Sequence, residues 1–308
     1  MTNKFNFIMI SAMYENGGNT TQRLLDNHPQ LFVYPYESQP GTKLVNDFMS
    51  SLFPVKYRWP VFNLSDSPAG HYHAIIDEEC KVRIRTPQSS KFRDTPIQLN
   101  DDERKKIFID LMGPGPYTRG RIVECFFRAT FEAWKDYNRP AEPTAYLGYS
   151  PIIGVDTPKI LADLPDAHVL HIVRNPWSAY ADTKKRAVPL SLEHYLVAWN
   201  MCQYYALLWK DLEPKRVHVL RFEDIIRDPV GVLGEFCKKA GLKPAPSLAH
   251  PTWNGKTLET VHPWGTIRTP TAEANMATAK ELSEAERSDV TRRAGPWLKI
   301  LGYDAFWG

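Results

Sequence analysis

The feature that most constrains the fold is a short apolar run that ends in a glycine-containing turn and is followed by a helix pattern. Residues 5–10 read Phe-Asn-Phe-Ile-Met-Ile, which is typical of a buried strand. The turn at residues 15–19 reads Glu-Asn-Gly-Gly-Asn, and residues 20–27 contain helix formers with a Leu-Leu pair. A second extended segment occupies residues 31–34. This order predicts a β-α-β unit and therefore a mostly parallel sheet.

The second half of the chain again alternates strands and helices. Apolar runs predict buried strands at residues 152–155, 168–173 and 216–221. Start and stop signals predict helices at residues 159–164, after Asn175-Pro176, at 191–212, from Asp228-Pro229 to Gly241, and from Ser283 to just before Gly295-Pro296. We therefore expect one α/β domain over residues 1–308, with a central, mostly parallel sheet flanked by helices.

Residues 41–149 interrupt this regular pattern. Prolines, aromatic residues and mixed charges give no clean period over residues 53–96, whereas residues 101–112 resemble an amphipathic helix. Residues 118–134 carry an aromatic stripe at helical spacing, which favours packing on the core over a cofactor site. The segment is expected to be a helical, aromatic-rich insertion in the domain.

Composition excludes several classes of protein. Of 308 residues, 43% are hydrophobic and 24% charged, so a disordered, collagen-like or coiled-coil chain is excluded. The 38 Lys and Arg residues exceed the 35 Asp and Glu residues by only three. Such a small surplus gives no reason to expect nucleic acid or an anionic membrane as a partner. Any recognition of an anion must come from local placement of charge.

Cysteine usage and hydropathy bear on the compartment. The four cysteines are scattered, form no C-x-x-C pair and have no histidine cluster at metal-ligand spacing. No segment approaches the roughly 18 apolar residues that span a bilayer, and the N-terminal apolar stretch lacks the features of a signal peptide. We expect a cytoplasmic protein without a membrane segment or metal site; the sequence leaves its oligomeric state open.

Two strand ends are candidate anion sites. A glycine turn between a buried strand and a helix points backbone N–H groups at one spot, although a tight structural turn is the alternative for residues 15–21. The Walker pattern is not present, because no Lys follows the glycines. Arg174 directly follows the predicted strand at residues 168–173. It therefore lies at the edge where open α/β sheets bind ligands, and its guanidinium offers a forked, permanently charged contact for a phosphate. The alternative interpretation of Arg174 is a surface Arg that pairs with a carboxylate.

The basic run at residues 184–186, Lys-Lys-Arg, indicates a solvated helix end. The alternative is a patch that steers an anionic ligand toward the site.

Four ordered blocks carry a family resemblance. They are residues 8–29 around the glycine turn, residues 155–176 ending in Val-Arg-Asn-Pro, Arg221-Phe222-Glu223-Asp224 followed by Asp228-Pro229, and Leu301-Gly302-Tyr303-Asp304. Together they resemble the sulfotransferases that use 3′-phosphoadenosine 5′-phosphosulfate, over roughly residues 5–40 and 150–305. The resemblance implies a P-loop-like fold, a metal-free reaction and transfer of a sulfuryl group to a hydroxyl or amine of a small molecule. It further implies that residues 41–149 line the acceptor pocket.

The resemblance also implies site residues. Arg174 would hold the 3′-phosphate of the donor. The residues expected to hold its 5′-phosphosulfate are Asn16, Gly17, Gly18, Asn19, Thr20 and Thr21. The family usually has a Ser eight positions after the Arg, where this chain has Asp182, so Ser178 is the candidate substitute. Glu15 stands where the family has a basic residue. The candidates to replace that charge are Arg23, Lys159 and Arg268.

The base is a further departure from the family. Asp156-Thr157-Pro158 stands where relatives carry Lys-Thr-His or Lys-Thr-Pro, so the familiar histidine is missing. Transfer still needs a group within reach of the acceptor proton and positive charge near the leaving oxygen. Glu37, just past the second predicted strand, is the first candidate and Asp156 the second; a purely structural carboxylate is the alternative for each.

The unusual acids bear on the acceptor. Acidic residues at positions 15, 156 and 182 suggest a cationic acceptor, such as an amine-bearing natural product, while carbohydrate, lipid and phenolic acceptors stay open. Two other functions remain. A relative could bind the nucleotide without catalysing transfer, or the chain could be a P-loop kinase, which would need the turn Lys and a metal site that the sequence lacks.

Overall fold

The computed structural model describes residues 4–258 and 271–307. Its main sheet has five parallel strands in the order β2-β3-β1-β4-β5. The strands are β1 (Phe7–Ala12), β2 (Leu31–Val33), β3 (Ala145–Pro151), β4 (His168–Val173) and β5 (Val217–Arg221). Two further strands, β6 (Thr252–Trp253) and β7 (Lys256–Thr257), form a small antiparallel pair. The fold class predicted from the sequence is confirmed.

Helices fill the connections between the strands. They are α1 (Gly18–Leu25), α2 (Pro68–Ala74), α3 (Glu78–Arg85), α4 (Asp101–Met112), α5 (Arg119–Ala133), α6 (Thr157–Asp163), α7 (Pro176–Thr183), α8 (Leu192–Leu212), α9 (Phe222–Arg227), α10 (Pro229–Lys239), α11 (Ala272–Lys280) and α12 (Glu284–Ile300). Short 3-10 helices lie at Phe48–Ser51, Val55–Tyr57, Pro87–Ser89, Ile153–Asp156 and Pro246–Ala249. Within the described ranges no helix is long and apolar enough to cross a membrane.

Strand β1 is central because both of its faces are apolar. Phe7 and Met9 pack in the cluster that includes the aromatic stripe of α5, whereas Ile8 and Ile10 pack with α1 and α10 on the opposite face. Side chains alternate across a strand, so a continuous apolar run suits a strand that is covered on both sides. The Phe7 and Phe127 rings meet edge to face at 4.8 Å. The aromatic stripe is therefore core packing, as predicted.

One predicted strand is wrong. Residues 152–155 do not pair in the sheet; Ile153–Asp156 is a 3-10 helix that follows β3. Ile152 has φ 70°, which breaks the extended conformation, and the run is apolar because it is buried beneath α8. Strand β3 was not predicted, because Gly148 and polar residues interrupt its apolar pattern. A Cβ on Gly148 would lie 2.8 Å from the Ser38 hydroxyl oxygen, so a tertiary contact accounts for that glycine.

The last helix breaks at its predicted end, and a second helical segment follows the break. It begins with the predicted capping box, in which the Ser283 hydroxyl accepts from Glu286 N and Glu286 accepts from Ser283 N. The first segment ends before Gly295, as predicted, because Gly295 has a non-helical conformation with φ 36° and ψ −113°; a short helical segment then runs to Ile300. The Gly-Pro pair bends the chain at this point, and a further turn of helix follows it.

Candidate active site

A cavity of about 660 Å³ opens at the carboxyl edge of the main sheet. Strands β1, β3, β4 and β5 end at or beside it, and the loop after β2 adds Glu37, as expected for a ligand site in an open parallel sheet. Its lining residues are Tyr14, Glu15, Gly17, Gly18, Asn19, Thr20, Glu37, Lys91, Tyr149, Pro151, Arg174, Asp182, Lys185, Arg186, Ala187 and Phe222. We call this cavity the cleft.

The glycine turn forms the floor of the cleft. Gly17 has φ +89° and precedes the first residue of α1, so the N–H groups that open that helix point toward the cleft. A Cβ on Gly17 would lie 2.2 Å from the Phe222 ring, and one on Gly18 would lie 2.3 Å from Tyr149. Side chains other than hydrogen are therefore excluded at both positions. The turn has the geometry of an anion site, and it is also tightly packed from below.

Asn16 ties this turn to the neighbouring strand end. It is fully buried; its Oδ1 accepts from Arg174 N at 2.9 Å and from the Trp199 indole N–H at 3.2 Å. Its Nδ2 donates to the Tyr14 carbonyl at 2.8 Å and to the Tyr195 hydroxyl at 3.2 Å. Asn16 does not line the cleft itself. It fixes the distance between the ends of β1 and β4, and therefore between the glycine turn and Arg174.

Arg174 projects into the cleft from the end of β4 and is only 7% exposed. Its Nε donates to Asn275 Oδ1 at 2.6 Å, and its Nη1 donates to the Glu15 carbonyl at 3.0 Å and to Asp182 Oδ2 at 2.8 Å. The guanidinium also lies over the Phe222 ring, 5.5 Å from its centroid. Fixed on three sides, this Arg presents a permanent, preoriented charge.

A buried carboxyl group organises the residues behind Arg174. Glu223 Oε1 accepts from Asn175 N, from Asn175 Nδ2 and from Asn275 Nδ2 at 3.0, 2.7 and 3.0 Å. Its Oε2 accepts from the Tyr303 hydroxyl at 2.7 Å. Two of the sequence blocks, around residues 221–224 and 301–304, therefore meet at one hydrogen-bond network. That network holds Asn275, which in turn orients Arg174.

Glu223→Ala is expected to lower the free energy of unfolding by about 2–3 kcal/mol, because it leaves several buried donors without their acceptor. Asp224→Ala removes the adjacent carboxylate, whose ion pairs in the described part of the chain are with the partly exposed Arg221 and the exposed Arg227, and should cost less than about 0.5 kcal/mol. Urea unfolding of both variants measures the difference. Equal stabilities for the two variants would contradict the role given to Glu223.

Glu37 enters the cleft from the loop after β2. Burial, followed by the nearby Glu79 carboxylate, raises the pKa of Glu37 to about 7, while Lys91 and Tyr57 act in the opposite direction. Glu37 N donates to Glu79 Oε2 at 3.1 Å, and Glu79 is ion-paired with Lys91. Glu37 Oε2 is buried and has no hydrogen-bond partner among the described residues. A carboxylate with this pKa and an acceptor oxygen that lacks a hydrogen-bond partner suits a general base near neutral pH.

Positive charge in the cleft comes from residues outside the glycine turn. They are Lys91 from the insertion, Arg174, and Lys185 and Arg186 after α7. The Arg186 guanidinium lies over the Tyr14 ring at 4.5 Å and 3.8 Å from Glu15 Oε1. For residues 185 and 186 the location at the cleft agrees with a patch for an anionic ligand; Lys184 instead pairs with Glu286 on the surface.

The structure brings seven of the predicted site residues together. Those that line the cleft are Gly17, Gly18, Asn19, Thr20, Glu37, Arg174 and Asp182. Thr21 and Ser178 lie behind it: the Thr21 hydroxyl donates to the Gly17 carbonyl at 3.0 Å, and the Ser178 hydroxyl donates to the Asn275 carbonyl at 2.7 Å. Both hydroxyls are thus used in holding backbone segments. Arg268 lies outside the described residues.

Asp156 is located elsewhere. It is buried, with Oδ2 accepting from Arg58 Nε at 2.6 Å and from Trp59 N at 2.9 Å, while Oδ1 pairs with Lys159 at 2.9 Å. With both oxygens engaged and no place in the cleft lining, it holds the insertion onto α6 and is not positioned as a base. Lys159 belongs to this same cluster, so it does not replace the missing charge of the turn.

Arg23, the other candidate for that charge, is also absent from the cleft lining. It is buried, donates to the Pro35 carbonyl at 2.9 Å and lies over the Trp253 ring at 4.7 Å. Two residues of the site were not predicted: Lys91, which brings positive charge to the cleft, and Asn275, whose neutral amide orients Arg174. Lys91 lies in the stretch without a periodic pattern, and Asn275 belongs to no sequence block. No local signal marks either one, because only the folding of distant segments places them near Arg174 or Glu37.

The chain matches the sequence model of one protein family. The sequence model of a family described as "Sulfotransferase family" matches residues 8–246, which is well over half of the chain. This match spans the glycine turn, Glu37, Arg174 and the network residue Glu223. No curated protein sequence is significantly similar to the chain.

Solved structures share the architecture at low sequence identity. The sulfotransferase domain from the curacin biosynthetic pathway is 16% identical, with 95% of this chain and 97% of that domain covered and a TM-score of 0.51. The sulfotransferase domain of the Synechococcus PCC 7002 olefin synthase is 16% identical, with 91% and 95% covered and a TM-score of 0.48. The similarity to the curacin-pathway domain shows that the two proteins share a fold.

Proposed function

The chain belongs to the sulfotransferase family, and from that premise we propose that it transfers a sulfuryl group from 3′-phosphoadenosine 5′-phosphosulfate to a hydroxyl or amine of a small molecule. One observation carries the choice of donor. A glycine turn at the start of α1 and the preoriented Arg174 at the end of β4 face the same cleft. Two separated anion sites in one cavity suit a ligand with two separated phosphate groups.

The cleft fits such a donor in size and charge. Its volume of about 660 Å³ lies within the usual range for small-molecule sites. The N–H groups of the glycine turn would hold the 5′-phosphosulfate and Arg174 the 3′-phosphate, with Arg186 adding the positive charge that the turn lacks. Bound there, the donor supplies the sulfuryl group and a 3′-phosphoadenosine 5′-phosphate leaving group. Positioning and charge stabilisation would provide most of the catalysis.

Glu37 is the proposed base. It lines the cleft, its Oε2 has no partner within the described part of the chain, and its raised pKa leaves it half-protonated near neutral pH. Glu37 would accept the proton of the acceptor hydroxyl or amine as the new bond to sulfur forms. Asp156 is withdrawn from this role by its buried contacts with Arg58 and Lys159.

The charge argument for a cationic acceptor loses its support. Glu15 lies near Arg186, Asp182 pairs with Arg174 and Lys185, and Asp156 is buried outside the cleft. Each carboxylate therefore has a cation of the chain beside it, and none is left over to attract a cationic substrate. The proposal accordingly names a small-molecule hydroxyl or amine without a charge requirement.

Binding of the donor product tests the proposal. In calorimetry with purified protein, 3′-phosphoadenosine 5′-phosphate is expected to bind at least about tenfold more tightly than adenosine 5′-monophosphate, because only the former can pair with Arg174. Transfer of radiolabelled sulfate from the donor to a panel of hydroxyl and amine acceptors then measures activity. Equal affinity for the two nucleotides would contradict the proposed donor.

The same measurements, together with an assay of ATP turnover, test the two alternative functions, a nucleotide-binding protein without transferase activity and a P-loop kinase. Tight, 3′-phosphate-dependent binding without transfer to any acceptor would indicate a nucleotide-binding relative. Magnesium-dependent turnover of ATP would indicate a kinase. The same protein preparation serves all three measurements.

A further inference from the structure

A carboxylate that lines the cleft is ion-paired with Arg174. Asp182 Oδ2 lies 2.8 Å from Arg174 Nη1, and both residues line the cavity. On the basis of the proposed function, we infer that Asp182 competes with the 3′-phosphate of the donor for Arg174 and so weakens the selectivity of this chain for 3′-phosphorylated nucleotides. Asp182 is thus a specificity-determining residue of the donor site.

Arg174 cannot avoid this competition by turning away. Its Nε is held by Asn275 Oδ1 at 2.6 Å, and its Nη1 also donates to the Glu15 carbonyl at 3.0 Å. The guanidinium is therefore held against the turn by two contacts that do not involve Asp182. A phosphate that approaches Arg174 meets a carboxylate that already partly neutralises the charge.

Asp182 has a second cation that lets it give up Arg174. Its Oδ1 lies 3.2 Å from Lys185 Nζ, one turn further along the chain. Lys185 also pairs with Glu281 at 2.8 Å. A phosphate at Arg174 can therefore displace Asp182 toward Lys185 without leaving the carboxylate unpaired. Binding of the bisphosphate remains feasible and has an electrostatic cost.

A nucleotide with a free 3′-hydroxyl does not incur this cost. A hydroxyl donates a hydrogen bond to a carboxylate, whereas a phosphate dianion beside it is repelled. Nucleotide-binding sites commonly bind a ribose hydroxyl with a carboxylate and a ribose phosphate with an arginine. This cleft contains both groups, Asp182 and Arg174, in contact with each other. The carboxylate should therefore weaken binding of the bisphosphate selectively.

The experiment removes the charge of Asp182 and keeps its shape. Asp182→Asn is expected to bind 3′-phosphoadenosine 5′-phosphate about tenfold more tightly than the unmodified chain, with the affinity for adenosine 5′-monophosphate changed less than about twofold. Asp182→Ser provides a second neutral variant and should shift the affinity in the same direction. Asp211→Asn, an exposed carboxylate outside the cleft, controls for the change in net charge. Thermal unfolding of each variant verifies that it is folded.

A double variant assigns the gain to Arg174. In the Arg174→Gln background, the gain from Asp182→Asn should be smaller than in the unmodified chain, because only direct repulsion of the phosphate is then relieved and no guanidinium is released. Unchanged or weaker binding of the bisphosphate in both neutral Asp182 variants would overturn the inference, while a 3′-phosphate preference that depends on Arg174 would leave the proposed function intact. Failure of every variant to distinguish the two nucleotides would overturn both.

Discussion

Glu37→Gln is expected to lower kcat for sulfuryl transfer by about 10²–10⁴-fold, the usual contribution of a general base. The amide keeps the size of the side chain but cannot accept the acceptor proton. The affinity for 3′-phosphoadenosine 5′-phosphate should change less than about threefold, since Glu37 is not among the groups that hold phosphate. Steady-state kinetics with the best acceptor, together with calorimetry, separate the two effects.

The pH profile gives this prediction its sharpest readout. Because the pKa of Glu37 is raised to about 7 and the base acts in its deprotonated form, kcat/KM should fall as the pH drops below about 7 and level off above it. The Glu37→Gln variant should lose this inflection. Glu78→Gln, a neighbouring surface carboxylate that pairs with Lys56 and does not line the cleft, should retain both the rate and the profile. A Glu37→Gln enzyme with full activity would show that another group takes the proton.

Arg174→Gln is expected to weaken binding of 3′-phosphoadenosine 5′-phosphate by about 10²–10³-fold, since a buried charge pair is lost and one partner stays behind. The substitution removes the positive charge and leaves Asp182 facing the incoming phosphate. Adenosine 5′-monophosphate, which has no 3′-phosphate, should bind with an affinity changed by less than about threefold. The preference between the two nucleotides should therefore disappear.

Arg227→Gln is the matched control for this variant, because its side chain is 68% exposed and its ion-pair partner among the described residues is the surface carboxylate of Asp224. It should bind both nucleotides as the unmodified chain does. If Arg174→Gln reduced the affinities for both nucleotides equally, the guanidinium would be supporting the fold of the turn, through its bond to the Glu15 carbonyl, and not reading the 3′-phosphate.

The sequence was informative where one local pattern carries the signal. Strand β4 and helix α4 lie within the predicted residues, because an uninterrupted apolar run and an amphipathic run with acidic residues in its first turn each depend on near neighbours. Strand β3 was missed for the opposite reason. Gly148 is required by the approach of Ser38 and Phe127, which no local pattern can report.

The residues of the candidate site fall into the same two groups, those that a local pattern marks and those that only long-range packing places. The glycine turn and Arg174 were found from sequence because each follows a recognisable strand and begins a helix. Lys91 and Asn275 were not found, since their segments carry no motif and reach the cleft only through long-range packing. Asp156 was predicted from the sequence as a candidate base, but the tertiary structure buries it in ion pairs with Arg58 and Lys159.

The sequence by itself determined the parallel α/β order, the glycine turn and the Arg that follows β4, because each depends on residues that are neighbours in the chain. Only the tertiary structure decided which charges share the cleft and which are consumed in pairs elsewhere. It gave Glu37 a pKa near 7 through burial and Glu79, and it set Asp182 against Arg174. Electrostatic interactions depend on distance and burial, and those quantities exist only once distant segments have packed together.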